Sequence, residues 1–192
     1  MRKVDEQKKQ LIEQAILVIT KDEGIQGLSF SKIAKYAHVS SGTPYVYFKD
    51  KTDMLSQMFL KIKLLFDDRL QADIEKGKSM PEKIYQAVTH FARMYTNYPL
   101  EAIFITAIRA NPELVTKTAF AEGNASAQPL NDLFQQAVTQ QCLVTDNIEA
   151  ATVLLFGPFI MQIQERQAAH QTVGLDELEA VIQLSVDGLI KK

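Results

Sequence analysis

Hydroxyl side chains are concentrated in one short segment of the 192-residue chain, and a lysine follows them. Serine and threonine come first and phenols after them: Ser40, Ser41, Thr43, Tyr45 and Tyr47, then Lys51. Short hydroxyls can hydrogen-bond phosphate oxygens or base edges, and the first amides of a helix attract phosphate. Gly42, inside the segment, would allow a close approach to the backbone. The segment could therefore contact a nucleic acid, although an isolated hydroxyl-rich helix is more often simply solvated.

Three helices are predicted to position this segment. Apolar residues at helical spacing predict a first helix over about residues 5–22. Ser29 is a suitable N-cap for a short second helix that ends near His38, and Ser40 for a third that ends near Tyr47. A longer helix followed by two short ones, with a turn of about three residues between them, is the layout of a helix-turn-helix unit.

The stretch LSFSKIAKYAHVSSGTPYVYFKDKTDML resembles the signature of the TetR (tetracycline-repressor-like) family. That signature commonly reads T-x-x-x-I-A-x-x-A-G-V-S-x-G-T-x-Y-x-Y-F-x-x-K-x-x-L. The matching residues, with Ser29 in place of the first threonine, are Ile33, Ala34, Ala37, Val39, Ser40, Gly42, Thr43, Tyr45, Tyr47, Phe48, Lys51 and Leu55. His38 departs from the usual turn glycine, and Pro44 lies in the first turn of the predicted recognition helix.

The resemblance implies a homodimeric repressor that binds a pseudo-palindromic operator with its two recognition helices in successive major grooves. It also implies that a small-molecule inducer releases the repressor from double-stranded operator DNA. Tyr47 and Lys51 are expected at phosphates, and Tyr45 is expected to face DNA rather than the core. The residues expected to bind DNA are Ser29, Ser31, Ser40, Ser41, Gly42, Thr43, Tyr45, Tyr47 and Lys51.

The remainder of the chain is also predicted to be helical, since no alternating strand pattern occurs. A long helix is expected from about Asp53 to Lys76, and Pro81, Pro99 and Pro129 stand where they would open further helices. We expect an all-α fold of about nine helices, with a helix-turn-helix domain over residues 1–51 and a helical ligand-sensing and dimerisation domain over residues 52–192. Residues 1–51 hold nine Lys and Arg against six Asp and Glu, so the first domain is basic.

Aromatic residues recur in the second predicted domain, where each one alone is more easily explained as core. Family ligand domains enclose an apolar cavity, which implies a pocket formed by Phe66, Phe91, Tyr95, Phe104, Arg109, Phe134 and Phe156. An apolar stripe in the last helices is explained equally well by burial or by association. By resemblance we assign it to a dimer interface of Leu154, Leu155, Leu178, Val181, Ile182, Ser185 and Leu189.

Other chemistry is not indicated by the sequence. No nucleophile stands with an adjacent base, so we expect no enzyme and no cofactor. His90 and His170 lack ligand partners at helical spacing, Cys142 is the single cysteine, and no metal site is expected. No apolar run reaches the length of a membrane helix and no signal core is seen, which favours the cytoplasm. The alternatives are an activator of the same family and a helical ligand-binding protein that does not bind DNA.

Overall fold

The computed structural model describes residues 2–191, with side chains from residue 6 onward. Residues 1 and 192, the outer ends of the two predicted domains, lie outside the described residues. The described part contains no β-strand, which confirms the all-α class. Its α-helices are α1 (Arg2–Glu23), α2 (Phe30–Tyr36), α3 (Pro44–Tyr47), α4 (Lys51–Asp67), α5 (Leu70–Ile74), α6 (Met80–Asn97), α7 (Pro99–Ala110), α8 (Lys117–Ala125), α9 (Gln128–Thr139), α10 (Ile148–Ala168) and α11 (Leu175–Leu189). None of these helices is long and apolar enough to span a membrane.

The predicted long helix between Asp53 and Lys76 is wrong, because it is two helices with a break between them. Arg69 adopts a left-handed conformation, with φ of 61° and ψ of 8°, between the end of α4 and the start of α5. A left-handed residue turns the chain out of the α-helical path, so the regular ladder of backbone hydrogen bonds cannot continue through it. The Phe66 carbonyl, just before the break, instead accepts a hydrogen bond from the buried ring of His90 at 2.8 Å.

The chain forms two compact units. The first comprises the described residues of Met1–Leu65 together with Pro99–Ala125. In this unit α1 packs against α2 and α7, and Ile12, Ile16 and Ile19 are fully buried side chains of α1. The first unit thus extends beyond residue 51. That residues 1–51 form the DNA-binding domain is a statement about function, and it stays a prediction.

The second unit comprises Phe66–Tyr98 and Ser126–Lys192, again in its described part. Helix α6 lies at its centre and packs against α5, α9, α10 and α11. Ser79 caps α6, since its hydroxyl accepts a hydrogen bond from the Glu82 amide while the Glu82 carboxylate accepts one from the Ser79 amide. A single antiparallel bridge between Leu143 and Ile190 ties the α9–α10 connection to the end of α11.

Candidate nucleic-acid interface

The turn after α2 is fixed by a pair of backbone hydrogen bonds. The Val39 amide donates to the Ala34 carbonyl at 3.0 Å, and the His38 amide donates to the Lys35 carbonyl at 3.3 Å. This pairing is a Schellman motif, which requires a left-handed residue after the helix. His38 occupies that position with φ of 53°. The turn typical of the family is therefore kept, with histidine held in a conformation that glycine adopts more easily.

Helix α3, the predicted recognition helix, is shorter than the sequence predicted. It begins at Pro44 rather than at Ser40. The Thr43 amide donates to the Ser40 carbonyl at 2.9 Å, but Pro44 has no amide hydrogen with which to continue that pattern. The Ser40 and Thr43 hydroxyls are hydrogen-bonded to each other at 2.7 Å. A rigid turn therefore leads into a single helical turn.

The predicted DNA-binding residues lie on a surface rather than in the core. The exposed ones are Ser29, Ser31, Ser40, Ser41, Gly42 and Tyr45, and the half-buried ones are Thr43, Tyr47 and Lys51. Gly42 has no atom within 4 Å of the position that a Cβ would take, and its φ is not positive. The fold itself therefore does not require glycine there.

Tyr45 lies outside the core. Its side chain is 64% exposed, while one edge of its ring packs on Phe30 with the ring centroids 4.5 Å apart and the planes at 73°. Phe30 is buried, so this contact fixes the direction of an otherwise exposed phenol. The arrangement presents Tyr45 to a partner without a large loss of side-chain entropy on binding.

Lys51 stands in the first turn of a capped helix. The Asp50 carboxylate accepts a hydrogen bond from the Asp53 amide at 2.8 Å, and the Asp53 carboxylate accepts one from the Lys49 amide at 2.9 Å. These bonds satisfy amides at the start of α4 and fix the backbone that carries Lys51.

Most of the aromatic residues predicted to form a ligand pocket lie together in the second unit. Phe156 is central, with its ring centroid 5.4 Å from that of Phe91 and 6.5 Å from that of Phe134. Phe66 and Tyr95 are edge to face, with ring centroids 5.5 Å apart. We call these five residues, which are all buried, the aromatic cluster. Phe104, buried, and Arg109, exposed, belong to the first unit, and their place in a pocket stays a prediction.

A buried ionic group, which the sequence analysis missed, lies in the same unit. The Asp73 carboxylate accepts hydrogen bonds from His90 Nδ1 at 2.7 Å and from Arg93 at 2.9 Å, and Lys76 pairs with its second oxygen. Burial alone would raise the pKa of Asp73, but the bonds from Lys76 and His90 and the charge of Arg93 outweigh burial and lower it from 3.8 to about 2. The partner of His90 is 17 residues away in sequence, so helical spacing could not reveal it.

The predicted dimer stripe is wrong for four of its residues. Leu155, Leu178, Ile182 and Leu189 are at most 1% exposed within the second unit, so their side chains cannot form a surface between two copies. Helix α11 packs against α6 and α10, and these contacts account for the stripe. Of the remaining residues, Leu154 is 53% exposed, and Val181 and Ser185 are half-buried.

The described residues contain no group of three or more His, Cys, Asp or Glu side chains that could hold a metal ion.

The chain is similar in sequence to known bacterial regulators. The family model described as bacterial regulatory proteins, tetR family, matches residues 12–58. The chain is 34% identical over 110 residues to a fatty acid metabolism regulator protein of Bacillus subtilis, and the match spans 56% of each protein, so about half of that relative's length.

Solved structures of similar fold cover nearly the whole chain. A TetR family transcription regulator from Marinobacter aquaeolei matches with a TM-score of 0.85 at 19% identity, over 100% of both chains. The transcriptional regulator FadR from Bacillus subtilis, solved in complex with stearoyl-CoA, matches with a TM-score of 0.72 at 23% identity, over 94% of this chain and 98% of that one. At these identities the likeness shows the fold. The likeness in sequence to the tetR family of bacterial regulatory proteins covers residues 12–58, which hold α2, α3 and parts of α1 and α4.

Proposed function

We propose that the protein is a homodimeric transcriptional repressor that binds operator DNA through α3 and the turn before it, and that a ligand bound in the second unit releases it. The observation that carries the proposal is the exposure of the Ser40 and Ser41 hydroxyls and of the Tyr45 phenol, next to a Schellman turn inside the segment that matches the family model. Such groups contact phosphates and base edges.

Two further observations support DNA as the partner. Gly42 is open to its surroundings although the fold does not need glycine there, and a missing side chain permits a close approach of the DNA backbone. Residues 1–51 have an excess of basic over acidic side chains, nine to six, whereas the rest of the chain is acidic.

A second copy of the chain is the proposed occupant of an apolar face on α10 and α11. Val153 and Met161 on α10 and Leu184 on α11 are each at least 64% exposed. Gly157 and Gly188 lie on the same helices, with nothing within 4 Å of a Cβ position. Exposed apolar side chains and glycines on two neighbouring helices allow close helix packing across a twofold axis. We call Val153, Gly157, Met161, Leu184 and Gly188 the exposed face.

The proposed ligand is a long-chain acyl thioester. A relative is named for fatty acid metabolism, and a protein of the same fold was solved with stearoyl-CoA. The aromatic cluster, whose five rings lie together in the interior of the second unit, is the apolar region that we propose an acyl chain enters. Ligand binding that favours a dimer with mis-spaced recognition helices would lower operator affinity.

Selection of bound duplexes from random DNA tests the DNA-binding part of the proposal. We expect a pseudo-palindrome with half-sites roughly 34–36 Å apart, or a multiple of that spacing. Lys51→Ala should lower the salt dependence of binding, with the slope of log K against log salt falling by about 1 for each protomer. Lys78→Ala, at an exposed lysine of the second unit, is the control and should leave the slope unchanged. An unaltered slope in Lys51→Ala would reject its phosphate contact.

Ligand titration tests the coupling. Stearoyl-CoA should bind 5- to 150-fold more weakly when operator DNA is saturating, because linkage is reciprocal. Free CoA is the control, since it lacks the acyl chain. Equal affinity with and without operator would reject ligand release. Loss of the gene should raise transcription of a promoter reporter, whereas a fall would indicate an activator.

A further inference from the structure

Val46 is the most exposed of the large apolar side chains that the structure describes, at 75%. It stands in the middle of α3, between Tyr45 and Tyr47. A single exposed valine is common on protein surfaces and needs no explanation by itself. Its position on α3, however, distinguishes Val46 from the other exposed apolar side chains.

The buried edge of α3 is marked by Pro44, which is the buried residue of that helix. Successive residues of an α-helix are rotated by roughly 100°, so Val46 stands roughly 200° around the axis from Pro44. Val46 therefore projects from the side of α3 opposite its buried edge. When α3 enters a major groove with the rest of the first unit behind it, the residue that reaches deepest toward the base edges is Val46.

Base edges in the major groove are polar except for one group. Adenine, guanine and cytosine present only hydrogen-bond donors and acceptors, whereas thymine also presents its C5 methyl group. A valine side chain has no donor or acceptor and can gain free energy there only by covering that methyl group. The neighbouring Tyr45 hydroxyl and the Ser40 and Thr43 hydroxyls are suited to the polar edges and phosphates.

We propose that Val46 reads a thymine methyl group in each half-site of the operator, and so determines part of the sequence specificity. This inference rests on the proposed DNA-binding function. It assigns thymine to one position of each operator half-site, whereas the fold alone assigns no base.

The test uses duplexes in which uracil replaces a single thymine, which removes one methyl group and leaves base pairing intact. The starting duplex is the one selected from random DNA. Loss of one buried methyl contact should weaken binding about fourfold for one half-site, and about 15-fold when both half-sites are changed. One symmetric pair of thymines should show this loss.

The matched protein variant is Val46→Ala, which is not expected to disturb folding because the side chain is exposed. Val46→Ala should weaken binding to the thymine duplex by at least the same factor and show no further loss on the uracil duplex. Leu64→Ala removes an equally apolar side chain that is 66% exposed on α4, and it should keep the full uracil penalty.

The possible outcomes distinguish a failure of the proposed role of Val46 from a failure of the proposed DNA-binding function. If the protein selects a sequence without thymine in its half-sites, or if the uracil penalty persists in Val46→Ala, the role of Val46 is rejected while DNA binding stands. If the wild-type protein selects no sequence at all, both the role of Val46 and the proposed function are rejected.

Discussion

Neutralising Asp73 should lower the free energy of unfolding relative to wild type, and this loss should be larger at neutral pH than at acidic pH. In Asp73→Asn the side chain keeps its shape and can still hydrogen-bond the His90 ring, but it no longer attracts His90, Arg93 and Lys76 as an anion. The pKa of Asp73 is lowered from 3.8 to about 2. At roughly 1.4 kcal/mol for each pH unit between the two values, the ionised carboxylate stabilises the fold by about 2 kcal/mol at pH 7.

The direction of the pH effect follows from the lowered pKa. A carboxyl group with a lower pKa in the folded state stabilises the fold above its unfolded pKa, and this contribution is lost as the pH falls through the folded value. With 3.8 unfolded and about 2 folded, roughly half of the effect should be gone at pH 3. The unfolding free energy of Asp73→Asn should therefore lie about 2 kcal/mol below wild type at pH 7 and only about 1 kcal/mol below it at pH 3.

Urea denaturation at fixed protein concentration measures both differences, since the stability of the proposed dimer would depend on concentration. Asp146→Asn, at an exposed aspartate, is the control and should stay within about 0.5 kcal/mol of wild type at both pH values. A deficit of Asp73→Asn that is equal at pH 7 and pH 3 would show that its charge does not stabilise the second unit.

Four other substitutions test three separate features of the protein. His38→Gly should raise the free energy of unfolding by about 0.5 to 1 kcal/mol in urea, because φ is 53° there, and a decrease would mean that the imidazole makes a stabilising contact. Gly123→Ala should lower the melting temperature through a loss of about 1 to 3 kcal/mol, since a Cβ would lie 2.4 Å from the buried ring of Phe59, and an unchanged melting temperature would refute this tight packing. Leu184→Glu, at a 73% exposed position, should give a folded monomer by sedimentation and circular dichroism, whereas Leu178→Glu, at a fully buried one, should unfold the protein. A dimeric Leu184→Glu protein would place the interface elsewhere.

Sequence was informative where structure is set by neighbours in the chain. The turn between α2 and α3 depends on Ser29, Ala34, His38 and Val39, which lie within eleven positions of one another, so their spacing was enough to predict it. Helix α3 begins later than predicted, since a helix capped by Ser40 would need a backbone hydrogen bond from residue 44, and Pro44 has no amide hydrogen.

Sequence was insufficient where distant residues decide the structure. The break at Arg69 lies close to a hydrogen bond from a distant residue. The buried ring of His90, 24 residues after Phe66, donates this bond to the Phe66 carbonyl. The stripe of Leu178 and Ile182 was recognised as apolar, but periodicity does not say whether the same chain or a second copy covers it. Here α6 and α10 of the same chain cover it.

The first unit is proposed to recognise a particular DNA sequence through the turn and helix that carry Thr43 and Tyr45. The most direct measurement is fluorescence anisotropy of the selected duplex and of a scrambled duplex of equal length and base composition, at one salt concentration. The wild-type protein should bind the selected duplex at least about 1,000-fold more tightly, and a Thr43→Ala, Tyr45→Ala double variant should lose most of that preference. Equal affinity of the wild-type protein for the two duplexes would contradict the claim.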